Sequence, residues 1–193
     1  MLTTTTIDAA VRAALEEDAP WGDITGEVFV PADARADAQL RAREDGVLSG
    51  GEVFARAFTL TDPGIDVAVH LGEGETFAAG QVLATVSGPA RGVLRAERIA
   101  LNFTQRMSGI ATLTRAFVDA VDGRTRIADT RKTTPGLRAS RSTRSCAGAG
   151  AATGSGSRMR SWSRTTTSAC LPVRARMSRR RSWRRGSGWG TRR

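Results

Sequence analysis

Ten consecutive residues, Asp129-Thr130-Arg131-Lys132-Thr133-Thr134-Pro135-Gly136-Leu137-Arg138, gather three cations and three hydroxyls directly behind a short apolar stretch. Arginine offers a planar, bidentate fork to carboxylate or phosphate, lysine a compact charge, and threonine a hydroxyl for phosphate oxygens. Lys132 is the only lysine in a chain that otherwise uses arginine throughout, which marks it as a chemical requirement. At the C-terminal end of a strand in an α/β fold, such a loop would stand where ligands bind. A solvated basic turn stabilised by Pro135-Gly136 is the competing reading, and residue types alone do not separate the two.

A second candidate is Glu97-Arg98 at the head of a helix, followed by Ile99-Ala100-Leu101-Asn102 and then Ser108-Gly109-Ile110-Ala111-Thr112. It reads as an anion clamp or as a surface ion pair of little energetic worth, and physics alone favours the ion pair. His70, the only histidine, falls in an alternating strand and reads as a half-buried structural residue. Asp23 reads as a cap for the element after it. The glycines at 72, 74 and 80 read as hairpin turns, because no helix start follows as a nucleotide-binding glycine loop requires.

These residues need a scaffold, and its elements are legible. Ile7, Val11, Ala14 and Leu15 recur at helical spacing. Ala36, Ala38, Leu40 and Ala42 alternate with polar residues as in a half-buried strand. Gly50-Gly51 opens a short helix through Phe54, Ala57 and Phe58, Ile65–Leu71 alternates, and Gly80–Val86 is a further strand. Two helices follow, from about Gly92 to Met107 and from Ile110 to Val121, separated at Ser108-Gly109. Arg126–Asp129 reads as a short strand. Strands before helices, closing on a helix–strand step, predict an α+β domain followed by the opening of an α/β domain.

Charge divides the chain. Residues 1–129 hold all 19 acids beside twelve arginines, a net −7, whereas residues 130–193 hold 17 basic residues and no acid. The overall +10 and pI near 11.4 therefore describe neither part. Both cysteines, Cys146 and Cys170, lie in the basic part without metal-ligand company, which supports neither a disulfide framework nor a zinc site. The Met-Leu-Thr-Thr-Thr-Thr start lacks a basic, then apolar, leader, and no apolar run nears the ~20 residues of a membrane span, so the expectation is a cytoplasmic protein.

Taken together, Glu17-Asp18…Gly22-Asp23-Ile24-Thr25, Asp45-Gly46-Val47-Leu48-Ser49-Gly50, Glu97–Asn102, Ser108–Thr112 and Ala128–Arg138 occur in an order and spacing that resembles the quinolinate phosphoribosyltransferases, the carboxylating nicotinate-nucleotide pyrophosphorylases of NAD biosynthesis. The resemblance covers about residues 7–138. It implies an N-terminal sandwich domain over residues 1–110, including flanking helices, and the beginning of a truncated α/β barrel over 111–138. It also implies a homodimer and transfer of phosphoribosyl from phosphoribosyl pyrophosphate to quinolinate, with Mg2+ present and with decarboxylation. By the same resemblance Arg131 and Lys132 are the catalytic pair, and with Thr130 they contact quinolinate and the phosphoribosyl group. Arg98 matches the arginine that reaches into the neighbouring subunit's site. A dicarboxylate, several phosphates and an oxocarbenium-like sugar all call for a cationic, preorganised pocket.

Beyond Arg138 the pattern stops. The family's Leu-Glu-Lys-x-Ala-Val helix, glycine run, Asn-His-Arg and later Lys-Asp-Asn-His are replaced by Ala139-Ser140-Arg141-Ser142-Thr143-Arg144 and Arg/Ser/Trp runs. Residues 159–167, Met-Arg-Ser-Trp-Ser-Arg-Thr-Thr-Thr, can be encoded ATG CGG TCC TGG TCA AGG ACA ACC ACC. With a G in front and the frame moved by one base, those bases read Asp-Ala-Val-Leu-Val-Lys-Asp-Asn-His. The codons are chosen among synonyms, so this is a test of compatibility. The expectation is that residues 139–193 are an out-of-frame translation beginning between Arg138 and Ser140. Such a tail cannot bury enough apolar surface to offset its ordering entropy, which predicts disorder. It would meet nucleic acid only non-specifically. Two other readings are a genuine basic protein that stacks bases on Trp162, Trp183 and Trp189, and a related phosphoribosyltransferase with another base.

Overall fold

The computed structural model describes residues 2–129 and 134–137, and the backbone of 175–179. The first helix, α1 (Thr4–Asp18), starts where Thr3 Oγ1 accepts the Thr6 N–H at 3.3 Å, and it buries Ile7 and Val11, one turn apart. Helix α2 (Ile24–Phe29) is capped by Asp23, whose Oδ1 accepts the Gly26 N–H at 3.1 Å, the role its position predicts. Strand β1 (Arg35–Ala42) turns Ala38, Leu40 and Ala42 inward. After β2 (Gly46–Val47), α3 (Gly51–Thr61) packs Val53, Phe54, Ala57 and Phe58 into the centre. Strands β3 (Asp66–Val69), β4 (Thr76–Phe77) and β5 (Val82–Pro89) lead into α4 (Ala90–Val121).

Two antiparallel sheets result. One has the order β3-β5-β1-β6, where β6 is Ala175–Arg179, and the other pairs β2 with β4. Between Leu40 and Arg41 the β1–β5 register shifts, Leu40 facing Ala84 and Arg41 facing Val82. The bulge lets the neighbouring residues Leu83 and Ala84 both be buried, which strict alternation forbids. Helices α1, α3 and α4 share the core with the inner faces of β1 and β5. The α+β sheet-and-helix arrangement expected from the sequence is the one observed.

Four local expectations need correction. Ser108-Gly109 does not separate two helices: α4 runs unbroken for 32 residues. Glycine costs about 1 kcal/mol against alanine in a helix interior, but Gly109 is buried and Ser108 bonds to Ser49 across the core, so long-range contacts offset a local weakness. Glu97-Arg98 accordingly sits inside the helix, about two turns past its start, and not at its head. His70 lies beyond β3 and is exposed, its backbone N–H bonded to Leu83 O and its Nε2 3.3 Å from Thr85 Oγ1. Arg126–Asp129 is no strand; Ala128 alone makes a β-bridge.

The fourth concerns the basic tail. Ala175–Arg179 pairs antiparallel with Ala38–Ala42 of β1, departing from the expectation of a disordered tail at that stretch. The outer edge of β1 offers unpaired N–H and C=O groups, and strand addition uses main-chain groups that any sequence possesses. The other tail residues lie outside the described ones.

One ion pair ties α1 to α3. Arg56 Nε and Nη2 donate to Asp8 Oδ1 and Oδ2 at 2.8 and 2.7 Å. The Arg56 hydrogen bond, more than its Coulomb attraction, holds the Asp8 carboxyl below its ordinary value of 3.8. A carboxyl depressed by folding contributes stability above that ordinary value and loses it as pH falls through the folded value. Melting temperatures of the chain and of Asp8→Asn should therefore converge between pH 4 and pH 2, the ordinary carboxylate range and below; a gap that stays constant would contradict the pairing.

Candidate functional site

Two stretches singled out in the sequence meet each other. Ser49 and Ser108 are both buried, and the Ser108 hydroxyl accepts the Ser49 N–H at 3.0 Å while donating to Ser49 O at 3.1 Å. One turn on, Thr112 Oγ1 accepts the Val47 N–H at 2.9 Å and donates to Ser108 O at 2.8 Å. The Asp45–Gly50 loop is thus clasped by α4 through side chains of one helical face. From the other side, Glu73 Oε1 accepts the Ser49 hydroxyl at 2.5 Å, and both its oxygens lie 2.9 Å from the Gly50 nitrogen. That carboxylate stands at the N-terminus of α3, where the helix dipole favours negative charge. Gly50 has φ +92°, and a Cβ there would stand 2.8 Å from Met107 Sδ, so conformation and space both demand glycine. Glu73 was not flagged by sequence reasoning; its place in a Gly72-x-Gly74 turn carries no local sign of a partner 24 residues away.

The role of this clasp is to fix α4 against the sheet. Ser108→Ala leaves the Ser49 N–H and C=O buried without partners, at about 1–3 kcal/mol for each unsatisfied group. The expected result is a loss of at least ~2 kcal/mol by urea unfolding with an unchanged m-value.

Arg98 projects from α4 with its side chain 70% exposed, yet it is held: Nη1 donates to Asp18 Oδ1 at 2.8 Å and Oδ2 at 3.0 Å. Asp18 is the last residue of α1 and only 24% exposed. The Asp18 hydrogen bond, then its charge, hold the Arg98 guanidinium above the ordinary arginine range, with Asp23 and Glu97 adding smaller attractions. Arg98 is therefore a paired cation in an acidic surround, the ion pair that its sequence position favoured.

Thr130, Arg131 and Lys132 lie outside the described residues. Their flank is described: Asp129 precedes them, and Thr134–Leu137 is a β-turn with the Leu137 N–H on Thr134 O at 3.1 Å and Gly136 at φ +78°. A positive φ at the third turn position is a type II turn, with proline before it as that turn prefers. The structure thus places Arg98 and the turn that follows the cationic residues. Among the described residues no three His, Cys, Asp or Glu side chains gather as a metal site, and no helix is long and apolar enough to cross a membrane.

Comparison with known families supplies the decisive observation. The N-terminal domain model of quinolinate phosphoribosyl transferase matches residues 23–108, and its C-terminal domain model matches residues 110–158. The chain belongs to the quinolinate phosphoribosyltransferase family. It is 40% identical over 133 residues to the decarboxylating quinolinate phosphoribosyltransferase 1b of Nicotiana tabacum, over 68% of this chain and 38% of that protein. A probable carboxylating nicotinate-nucleotide pyrophosphorylase of Synechocystis is 43% identical over 133 residues, 68% of this chain and 45% of that one. Among solved structures, NadC from Streptococcus pyogenes superposes with a TM-score of 0.75 at 37% identity, over 79% of this chain and 54% of its own. The chain spans less than half the length of the curated relatives it matches. The two domain models divide at residue 109, in the middle of α4.

Proposed function

We propose that residues 1–138 are the forward part of an enzyme that transfers phosphoribosyl from phosphoribosyl pyrophosphate to quinolinate. The ring nitrogen displaces pyrophosphate at the anomeric carbon. The 2-carboxylate then leaves as carbon dioxide, a proton takes its place on the ring carbon, and nicotinate mononucleotide is the product. Membership of the family supports this reading, and Arg98 is the observation that carries it: an exposed guanidinium fixed in place, as a recognition group for a carboxylate must be. Arg131, Lys132 and Thr130 supply the remaining cationic and hydroxyl contacts. Their task is to hold the two anions together and offset charge as pyrophosphate departs.

Arg98 is proposed to act across a homodimer boundary. Beside Asp18 in sequence, Trp21, Ile24, Val28 and Phe29 are 66–86% exposed, an apolar patch suited to cover by a second copy. Magnesium is proposed to arrive on the phosphates of phosphoribosyl pyrophosphate, where it neutralises charge; magnesium is commonly held by substrate phosphates rather than by an all-protein cage.

The part of the family fold that follows Arg138 is proposed to be lost through a one-base change of frame, leaving the barrel truncated. The C-terminal family match continues to residue 158, so the frame boundary is the point to test at the nucleotide level. An intact frame in the messenger RNA through residues 139–167 would defeat the proposal. The activity itself is tested by quinolinate-dependent release of pyrophosphate, measured on the chain with its frame restored and on the chain as it stands.

A further inference from the structure

The end of α1 is oddly charged. Glu16, Glu17 and Asp18 occupy its last turn, where the partial negative charge of a helix C-terminus disfavours carboxylates by ~0.3–1 kcal/mol each. No basic residue lies in that turn to compensate. Asp18 nonetheless points to Arg98, 80 residues further along, and both of its oxygens lie within 3.0 Å of one terminal nitrogen. An exposed ion pair of this kind contributes little to stability, so stability does not account for it. What it does is restrict a long side chain that is otherwise free to sample many rotamers.

We infer that Asp18 is a positioning residue: it orients the Arg98 guanidinium through Nη1 so that its remaining edge is presented to a carboxylate ligand. This rests on the proposed role of Arg98 in binding quinolinate. Two opposite consequences of Asp18 can be told apart by sign. If Asp18 merely neutralises Arg98, removing its charge strengthens anion binding. If it positions Arg98, removing it weakens binding in spite of the added positive charge, because the ligand must then immobilise the side chain itself.

The test uses the complete 193-residue chain, 15N-labelled at arginine, with the Arg98 signals assigned by their loss in Arg98→Lys. Unsubstituted protein should give separate, slowly exchanging terminal-nitrogen signals for Arg98. In Asp18→Asn they should merge, while the melting temperature is unchanged, as expected for an isosteric change in an ion pair whose arginine is largely exposed. Quinolinate is then titrated at constant ionic strength, and Asp18→Asn should bind about three- to tenfold more weakly, the cost of immobilising one flexible side chain. Merged signals in the unsubstituted chain, or equal or tighter quinolinate binding by Asp18→Asn, overturn the inference. If quinolinate leaves Arg98 unperturbed in both this chain and the frame-restored protein, the proposed function fails at this residue, and the guanidinium signals alone decide whether Asp18 orients it.

Discussion

With the reading frame restored between Arg138 and Ser140, the protein should release pyrophosphate from phosphoribosyl pyrophosphate only when quinolinate is present, and the 193-residue chain should release none. The difference is expected to be all or none because of where the frame is proposed to change. Lys132 and Arg131 precede the boundary, so both proteins carry the cationic loop. On the proposed truncation, the 193-residue chain would lack the surrounding wall that excludes water and holds the second substrate in line. Positioned reactants account for about 7–11 kcal/mol of barrier lowering, which corresponds to far more than a thousandfold in rate. Cations without that enclosure recover little of it. Turnover by the chain as it stands would refute the truncation argument, and silence from the restored protein would count against the proposed activity.

Phe54→Ala should be the most damaging single substitution in the described core, costing about 3–5 kcal/mol. Phe54 is fully buried on α3 and meets Phe58 edge-to-face, with ring centroids 5.0 Å apart at 60°. The pair sits one helical turn apart, so both rings point into the space between α4, α1 and the sheet. Truncation empties a volume that neighbours on three sides cannot all move to fill. Against a typical total of about 5–15 kcal/mol, the loss is large enough to lower the midpoint of thermal unfolding by roughly 10–20 °C. Circular dichroism melts of the two proteins decide it; a shift of only a few degrees would mean that the site collapses around the missing ring.

Elements whose reasons are local were legible in the sequence. The Gly50-Gly51 start of α3, the alternation of β1 and the Asp23 cap need only neighbouring residues, and all three stand as read. The continuity of α4 was hidden because Gly109 is a local weakness, whereas the bonds that overcome it come from Ser49 and Val47, about sixty residues earlier. The same separation hid the partners of Arg98 and of the Asp45–Gly50 loop: Asp18 and Glu73 are identified only once the chain has folded back. For the candidate site, the residue types at Arg98 did not decide between clamp and ion pair. Geometry shows the ion pair with Asp18.

The unbroken course of α4 also bears on how the rest of the chain is aimed. Thirty-two residues make a rod of about 48 Å. Its middle is bolted to the Asp45–Gly50 loop by Ser108 and Thr112, and its last turns carry whatever follows Val121. With no joint at the seam between the two family segments, angular error is transmitted outward rather than absorbed. Deleting a single residue between Gly109 and Val121 would turn everything beyond it by about 100° and draw it in by about 1.5 Å. The direction in which the chain leaves the domain after Val121 is thus set by the phase of one helix, and Arg98 rides on that same helix.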